Sequence, residues 1–331
     1  MKTKLQHPII SAIILLGLFV HVCIGCSFFS SSSVQSEEKR VAITIDDLPL
    51  NIAESVNNRE MGAITDKILF HIKNHNVPVV GFVNEKGLVV NGSIDAERVG
   101  ILNKWLDAGV ELGNHTYSHK SLHTTPIDEY KKDIVDGEST VVKLLVNHGM
   151  KLRYFRHPYL HTGKELQTRD EIVRFLASRG QSVAPVTFDN SEWVFAKAYD
   201  NAYAANDKFQ MEEIAKSYIV YMRSKQHFFE QQVGELFGRN IRHILVIHAN
   251  RLNSEYLPEL FKMMKDDGYS FITLDEALRD RAYQSANEYA GGGGITWIHH
   301  WAITVGKGRE FFKGEPLVPA RYLKIAGVEH E

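Results

Sequence analysis

From Val41 onward the chain alternates short apolar runs rich in β-branched residues with longer segments of helical period. That alternation predicts a parallel sheet whose strands are joined by crossover helices. The candidate strands are Val41 to Ile45, Val79 to Val83, Val110 to Gly113, Arg153 to Phe155, Ser182 to Thr187, His243 to Ile247 and Ser270 to Ile272. Between them, Ala96 to Ala108 places Val99, Leu102 and Leu106 on one helical face, and Asp128 to His148 does the same with Ile134, Val141 and Leu145. Gly109 and Gly149 follow as helix stops. About seven strands over residues 39–282 predict one distorted (β/α) barrel.

Two segments exceed a minimal barrel. Residues 195–239 carry Ile214, Tyr218, Tyr221, Phe228 and Leu236 at the spacing of one or two amphipathic helices, and read as a helical insertion. Residues 283–331 form a C-terminal extension, in which a hinge-like run from Gly291 to Gly294 precedes the aromatic stretch Trp297, His299, His300 and Trp301. That stretch reads as a surface docking the tail on the barrel, with sugar stacking as the alternative.

The N-terminus has a different pattern. Lys2 and Lys4 precede a mostly apolar run from Pro8 to Gly25, followed by a serine-rich stretch. Residues 1–25 therefore read as an export signal and 26–38 as a flexible tether. Both cysteines, Cys23 and Cys26, fall at the end of the run, where Cys23-Ile24-Gly25-Cys26 resembles a bacterial lipobox with Cys26 as the lipidated residue. The expectation is a protein of the periplasm or cell surface, touching the membrane only through a lipid or N-terminal anchor. A net charge of −2 over 331 residues supplies no basic field for nucleic acid.

Chemistry collects where the strands end. The run Val41 to Ile45 leads into Asp46 and Asp47, Val110 to Gly113 into His115, Arg153 to Phe155 into Arg156 and His157, Ser182 to Thr187 into Asp189, and His243 to Ile247 into His248. In a parallel barrel all these ends open onto one face, the face that carries the active site. Spacing alone says little, because the 16 histidines form four His-x-x-x-His pairs, where random placement gives roughly one. Position separates them: His71 and His75 fall in a helix remote from that face, whereas His115 and His119 share it with Asp47. Two imidazoles and a carboxylate suit Zn²⁺, with Co²⁺ or Ni²⁺ as alternatives, and leave room for water and substrate. A pair of aspartates at a strand end has the further reading of a helix cap.

Thr44-Ile45-Asp46-Asp47, His115-Thr116-Tyr117-Ser118-His119, Arg156-His157-Pro158-Tyr159, Asp189-Asn190-Ser191-Glu192-Trp193 and Val246-Ile247-His248 resemble, in order, the five motifs of the polysaccharide deacetylases, carbohydrate esterase family 4 or the NodB homology domain. The resemblance covers about Val41 to Leu278. It implies that Asp47, His115 and His119 bind the metal and that Asp46 is the base taking a proton from the attacking water. Arg156 would orient Asp46, the Tyr159 amide would stabilise the oxyanion, and His248 would protonate the leaving group. Asp189 or Glu192 would tune that machinery, with Trp193 and Tyr159 against the sugar. The chain departs from the family in having Leu160 where glycine usually follows the tyrosine, and Glu192 where aspartate usually precedes the tryptophan.

The implied activity is that of a hydrolase of non-peptide carbon–nitrogen bonds. It would remove acetyl groups from N-acetylated sugars of a polysaccharide such as peptidoglycan or another N-acetylglucosamine polymer. The alternatives are an O-acetyl esterase and a non-catalytic glycan-binding lipoprotein.

Overall fold

The computed structural model describes residues 38–52 and 55–331. The signal, most of the tether and Cys26 lie outside the described residues. In chain order the strands are β1 (Lys39–Leu48), β2 (Val79–Val83), a small hairpin of β3 (Val89–Val90) and β4 (Ser93–Ile94), then β5 (Glu111–Asn114), β6 (Tyr154–Phe155), β7 (Ser182–Val183), β8 (Arg242–His248) and β9 (Tyr269–Phe271). All but the hairpin form one parallel sheet ordered β7-β6-β5-β2-β1-β8, with β9 also pairing β1. The chain beyond β7 bends round so that Phe188 bridges Leu245 of β8, and the sheet curls into the expected distorted barrel.

The helices on the outside are α1 (Asn58–His75), α2 (Ala96–Asp107), α3 (Ile127–Asp136), α4 (Val141–Asn147), α5 (Leu166–Ser178), α6 (Glu192–Ala204), α7 (Lys208–Phe237) and α8 (Arg251–Asp266). None among the described residues is long and apolar enough to cross a membrane. The period-two pattern of β1 explains the two sides of the sheet. Val41, Ile43 and Ile45 face outward into the large apolar cluster under the helices, while Ala42 and Thr44 face the barrel interior beside Val80, Phe82 and Ile244. Small inward residues leave space for the fully buried Arg156, whose guanidinium lies 4.8 Å from the Phe82 ring centre and donates to Thr44 Oγ1 at 2.8 Å.

Two expectations change. The single helix expected from Asp128 to His148 is broken into α3 and α4 at Gly137, because that residue packs against the backbone of the loop after β5. A Cβ there would lie 2.6 Å from the Thr116 carbonyl carbon and 2.7 Å from the Tyr117 nitrogen. The strand expected from Ser182 to Thr187 stops at Val183, since Pro185 has no backbone N–H to give a ladder.

Residues 195–239 fall mostly in α6 and α7, and α6 begins earlier, at Glu192. In the C-terminal extension His299, His300 and Trp301 are buried, within helix residues Trp297–Thr304. His300 is stacked between Tyr289 and Trp297 at ring distances of 4.3 and 4.7 Å.

Candidate active site

β1 ends in an irregularity: its register against β2 shifts between Ile45 and Leu48, and Asp47 takes the left-handed conformation with φ 65°. Successive side chains of a regular strand point to opposite faces. The irregularity overrides this, and both Asp46 and Asp47 line the same cavity.

His115 and His119 come from the loop after β5, which is tied down from several sides. Asn114 accepts from the Thr116 amide at 2.8 Å and donates to Ile134 O at 3.0 Å. Asp133 accepts from the Ser118 amide and hydroxyl at 3.1 and 2.7 Å. Thr116 and His119 have φ values of 64° and 57°; such non-glycine residues cost about 1–2 kcal/mol each and persist where the surroundings hold them. We expect Gly137→Ala, which forces a methyl into this loop's backbone, to lower stability by about 1–3 kcal/mol. It should also weaken metal binding, and thermal unfolding with and without added Zn²⁺ checks both.

The three expected ligands meet. Asp47 Oδ1 lies 3.5 Å from Nε2 of both His115 and His119, and the three donor atoms all fall within 4.8 Å of one another. His115 donates from Nδ1 to the Arg156 carbonyl oxygen at 2.8 Å, which turns its Nε2 toward Asp47. Asp47 Oδ1 is buried without a hydrogen-bond partner. Burial pushes the His119 pKa down to about 4 against the pull of Asp47, so its imidazole is neutral, as a ligand must be. An orphaned carboxylate oxygen and two imidazole Nε2 atoms converging on one point fit a divalent cation.

Asp46 sits beside this trio, its Oδ2 3.8 Å from His115 Nε2 and its Oδ1 buried and unpartnered. Arg156 attracts Asp46 and Asp189 by charge, but its hydrogen bond goes to Thr44. Burial raises the Asp189 pKa to about 6 despite the nearby Lys225.

The choice between Asp189 and Glu192 is resolved by helix α6. Glu192, its first residue, is fully buried and accepts from His248 Nδ1 at 2.8 Å and from the side-chain amides of Asn250 and Asn253. Tyr218 on α7 donates to Asn253 Oδ1 at 2.9 Å, so the insertion supports this pair from behind. Burial alone would depress the His248 pKa, but the Glu192 hydrogen bond and charge, with Asp47 and Asp46, push it up to about 9.

Asp46, Asp47, His115, His119, Asp189 and His248 share one cavity of about 730 Å³, with Trp193, Tyr159 and Gly294 on its walls. The Tyr159 ring meets His119 edge-on at 4.5 Å. Its amide belongs to the first turn of a 3₁₀ helix at residues 158–160, where N–H groups have no partner inside the helix. His157, which also lines the cavity, is held by the Tyr130 hydroxyl at 3.0 Å, and burial drives its pKa to about 3. His161 lines the cavity with His123 stacked behind it at 3.9 Å.

Sequence reasoning missed Thr44, Gly137, Tyr218, Asn250 and Asn253. Only Thr44 left a signal, as the polar inward position of an alternating strand.

Residues 33–175 match the polysaccharide deacetylase family model. That match spans less than half of the chain. A peptidoglycan-N-acetylglucosamine deacetylase of Bacillus cereus is 32% identical over 96 residues, which is 29% of this chain and 31% of that protein. The chain thus matches about a third of the length of that curated relative. A polysaccharide deacetylase structure from Bacillus cereus covers 71% of this chain and 92% of its own with 16% identity and a TM-score of 0.50, and shares the fold. A carbohydrate esterase family 4 pseudoenzyme from Bacillus anthracis aligns over 73% of this chain and 66% of its own, with 18% identity and a TM-score of 0.44.

Proposed function

We propose that this chain hydrolyses the acetamide of N-acetylglucosamine units in a cell-envelope polysaccharide and releases acetate. The observation that carries the reading is the convergence on one cavity of a ligand trio, a separate buried carboxylate and a carboxylate-paired histidine. Asp47, His115 and His119 would hold a divalent cation, Zn²⁺ first and Co²⁺ or Ni²⁺ next. Such a cation would polarise the acetamide carbonyl and acidify the attacking water. Asp46 removes a proton from that water, and the Tyr159 amide donates to the developing oxyanion. Arg156 attracts Asp46 by charge through the barrel interior, and Trp193 and the Tyr159 ring wall the sugar.

His248, held by Glu192, supports an amide over an ester. An amine departs only once protonated, whereas an alkoxide needs less help, and a histidine pushed up to about 9 carries the required proton across the neutral range. The Bacillus cereus relative's name supports the peptidoglycan sugar. Export and anchoring through Cys26 belong to the same reading and rest on the sequence of residues 1–26.

An acetate-release screen over defined N- and O-acetylated glycans, repeated after chelation, tests the proposal. Release from N-acetylglucosamine oligomers should fall at least about a hundredfold on chelation and return with Zn²⁺. No acetate from any glycan by the metal-loaded protein overturns it, and faster release from O-acetylated xylan assigns an esterase instead.

A further inference from the structure

The C-terminal extension enters the catalytic cavity at Gly294. A Cβ built on that residue would lie 1.7 Å from the Tyr159 carbonyl oxygen and 2.9 Å from His161 Cδ2. No side chain fits there. The backbone of Gly294 is not left-handed, so the contact, not the local conformation, demands glycine. Gly292, two residues earlier in the same run, has nothing within 4 Å of its would-be Cβ. The segment is therefore no hinge at position 294, but a strap pressed on the 158–160 turn.

The strap is anchored just beyond. The Thr296 hydroxyl donates to the carbonyls of Val186 and Thr187 at 3.2 and 3.0 Å, and the Trp297 amide donates to Val186 O at 2.8 Å. Val186 in turn packs with Leu160 and Val246 in a small apolar cluster. The turn under the strap is strained: Tyr159 and Leu160 have φ values of 57° and 53° in succession. A glycine at 160 would adopt that conformation freely, but leucine resists it by about 1–2 kcal/mol. The turn therefore needs support from outside itself.

We propose that Gly294 is a positioning residue, whose close contact fixes the Tyr159 carbonyl and, through the backbone torsions of Tyr159, the amide one peptide earlier that is aimed at the oxyanion. The inference rests on the deacetylase reading above for what the amide does, but the contact is measurable without turnover. Displacing the peptide by a fraction of an ångström weakens a bond made in the transition state more than one made to bound substrate. Gly294→Ala should lower kcat by about tenfold to a hundredfold with KM within about twofold, whereas Gly292→Ala should keep the wild-type kcat.

Selective nitrogen labelling of tyrosine supplies the second readout. The Tyr159 amide resonance should shift in Gly294→Ala and not in Gly292→Ala. Thr296→Val loosens the strap without adding volume, and carries the test if Gly294→Ala fails to fold, with the same kcat loss at unchanged KM. Wild-type kcat in the folded Gly294→Ala protein, an unmoved Tyr159 resonance, or wild-type kcat in Thr296→Val where that variant carries the test, overturns the proposal. Absence of acetate release by the wild-type protein with a shifted resonance would instead overturn the activity and leave the contact standing.

Discussion

Asp46→Asn should reduce acetate release by about a hundredfold to ten-thousandfold while leaving the bound metal in place. Asp46 and Asp47 are neighbours, yet the irregular end of β1 gives them different work. Asp47 Oδ1 is equidistant at 3.5 Å from the two imidazole nitrogens, whereas Asp46 approaches only His115, at 3.8 Å. Asparagine has the volume of aspartate and keeps an oxygen acceptor, so packing and the ligand trio should survive. What disappears is a carboxylate able to take a proton, and the negative charge opposite Arg156.

The companion change His115→Ala should lose metal and activity together, because it removes one of three donors whose atoms lie within 4.8 Å. Metal content by elemental analysis, set beside kcat for both variants, distinguishes the two roles. Full activity in Asp46→Asn with stoichiometric metal would remove Asp46 from the mechanism.

Much of this site was legible because a strand's period and its C-terminal end fix where a side chain goes. The ends of β5 and β8 could be read to within a residue from apolar runs, and although β1 runs on past Ile45 to Leu48, Asp47, His115 and His119 could still be placed on one face. The run Val79 to Val83 became β2 with the same limits. The pattern failed where a tertiary contact decides. Ile134, Val141 and Leu145 keep helical spacing straight across Gly137, so periodicity has no means of registering a break made by the Thr116–Tyr117 backbone pressing on that glycine.

The glycine run from 291 to 294 read as a hinge because composition cannot distinguish a glycine that needs freedom from one that needs room. Asp189 and Glu192 stood undecided for a similar reason: three residues apart, only the start of α6 at Glu192 turns one of them toward His248. Asn250 and Asn253 carry no mark in the sequence, since their importance comes wholly from the buried carboxylate they satisfy.

That carboxylate carries the second large effect. Glu192→Gln should move the basic limb of the kcat profile down by at least one pH unit and cut kcat at pH 8 by about tenfold or more. His248 is placed where burial depresses its pKa, and Glu192 is the foremost group reversing the effect, to give a value of about 9. Glutamine is neutral, and its amide would present donors to Asn250 and Asn253, which now donate to Glu192. The sign for stability follows the same shift. A histidine whose folded pKa lies above its unfolded value of about 6.5 contributes stability in full below pH 6.5, and that contribution is lost as pH rises toward about 9. Metal-free wild-type protein should therefore melt at progressively lower temperature across that window, and Glu192→Gln should show a flatter dependence. A pH–rate profile and a histidine NMR titration measure both halves, and superimposable profiles for wild type and Glu192→Gln would separate Glu192 from the proton on His248.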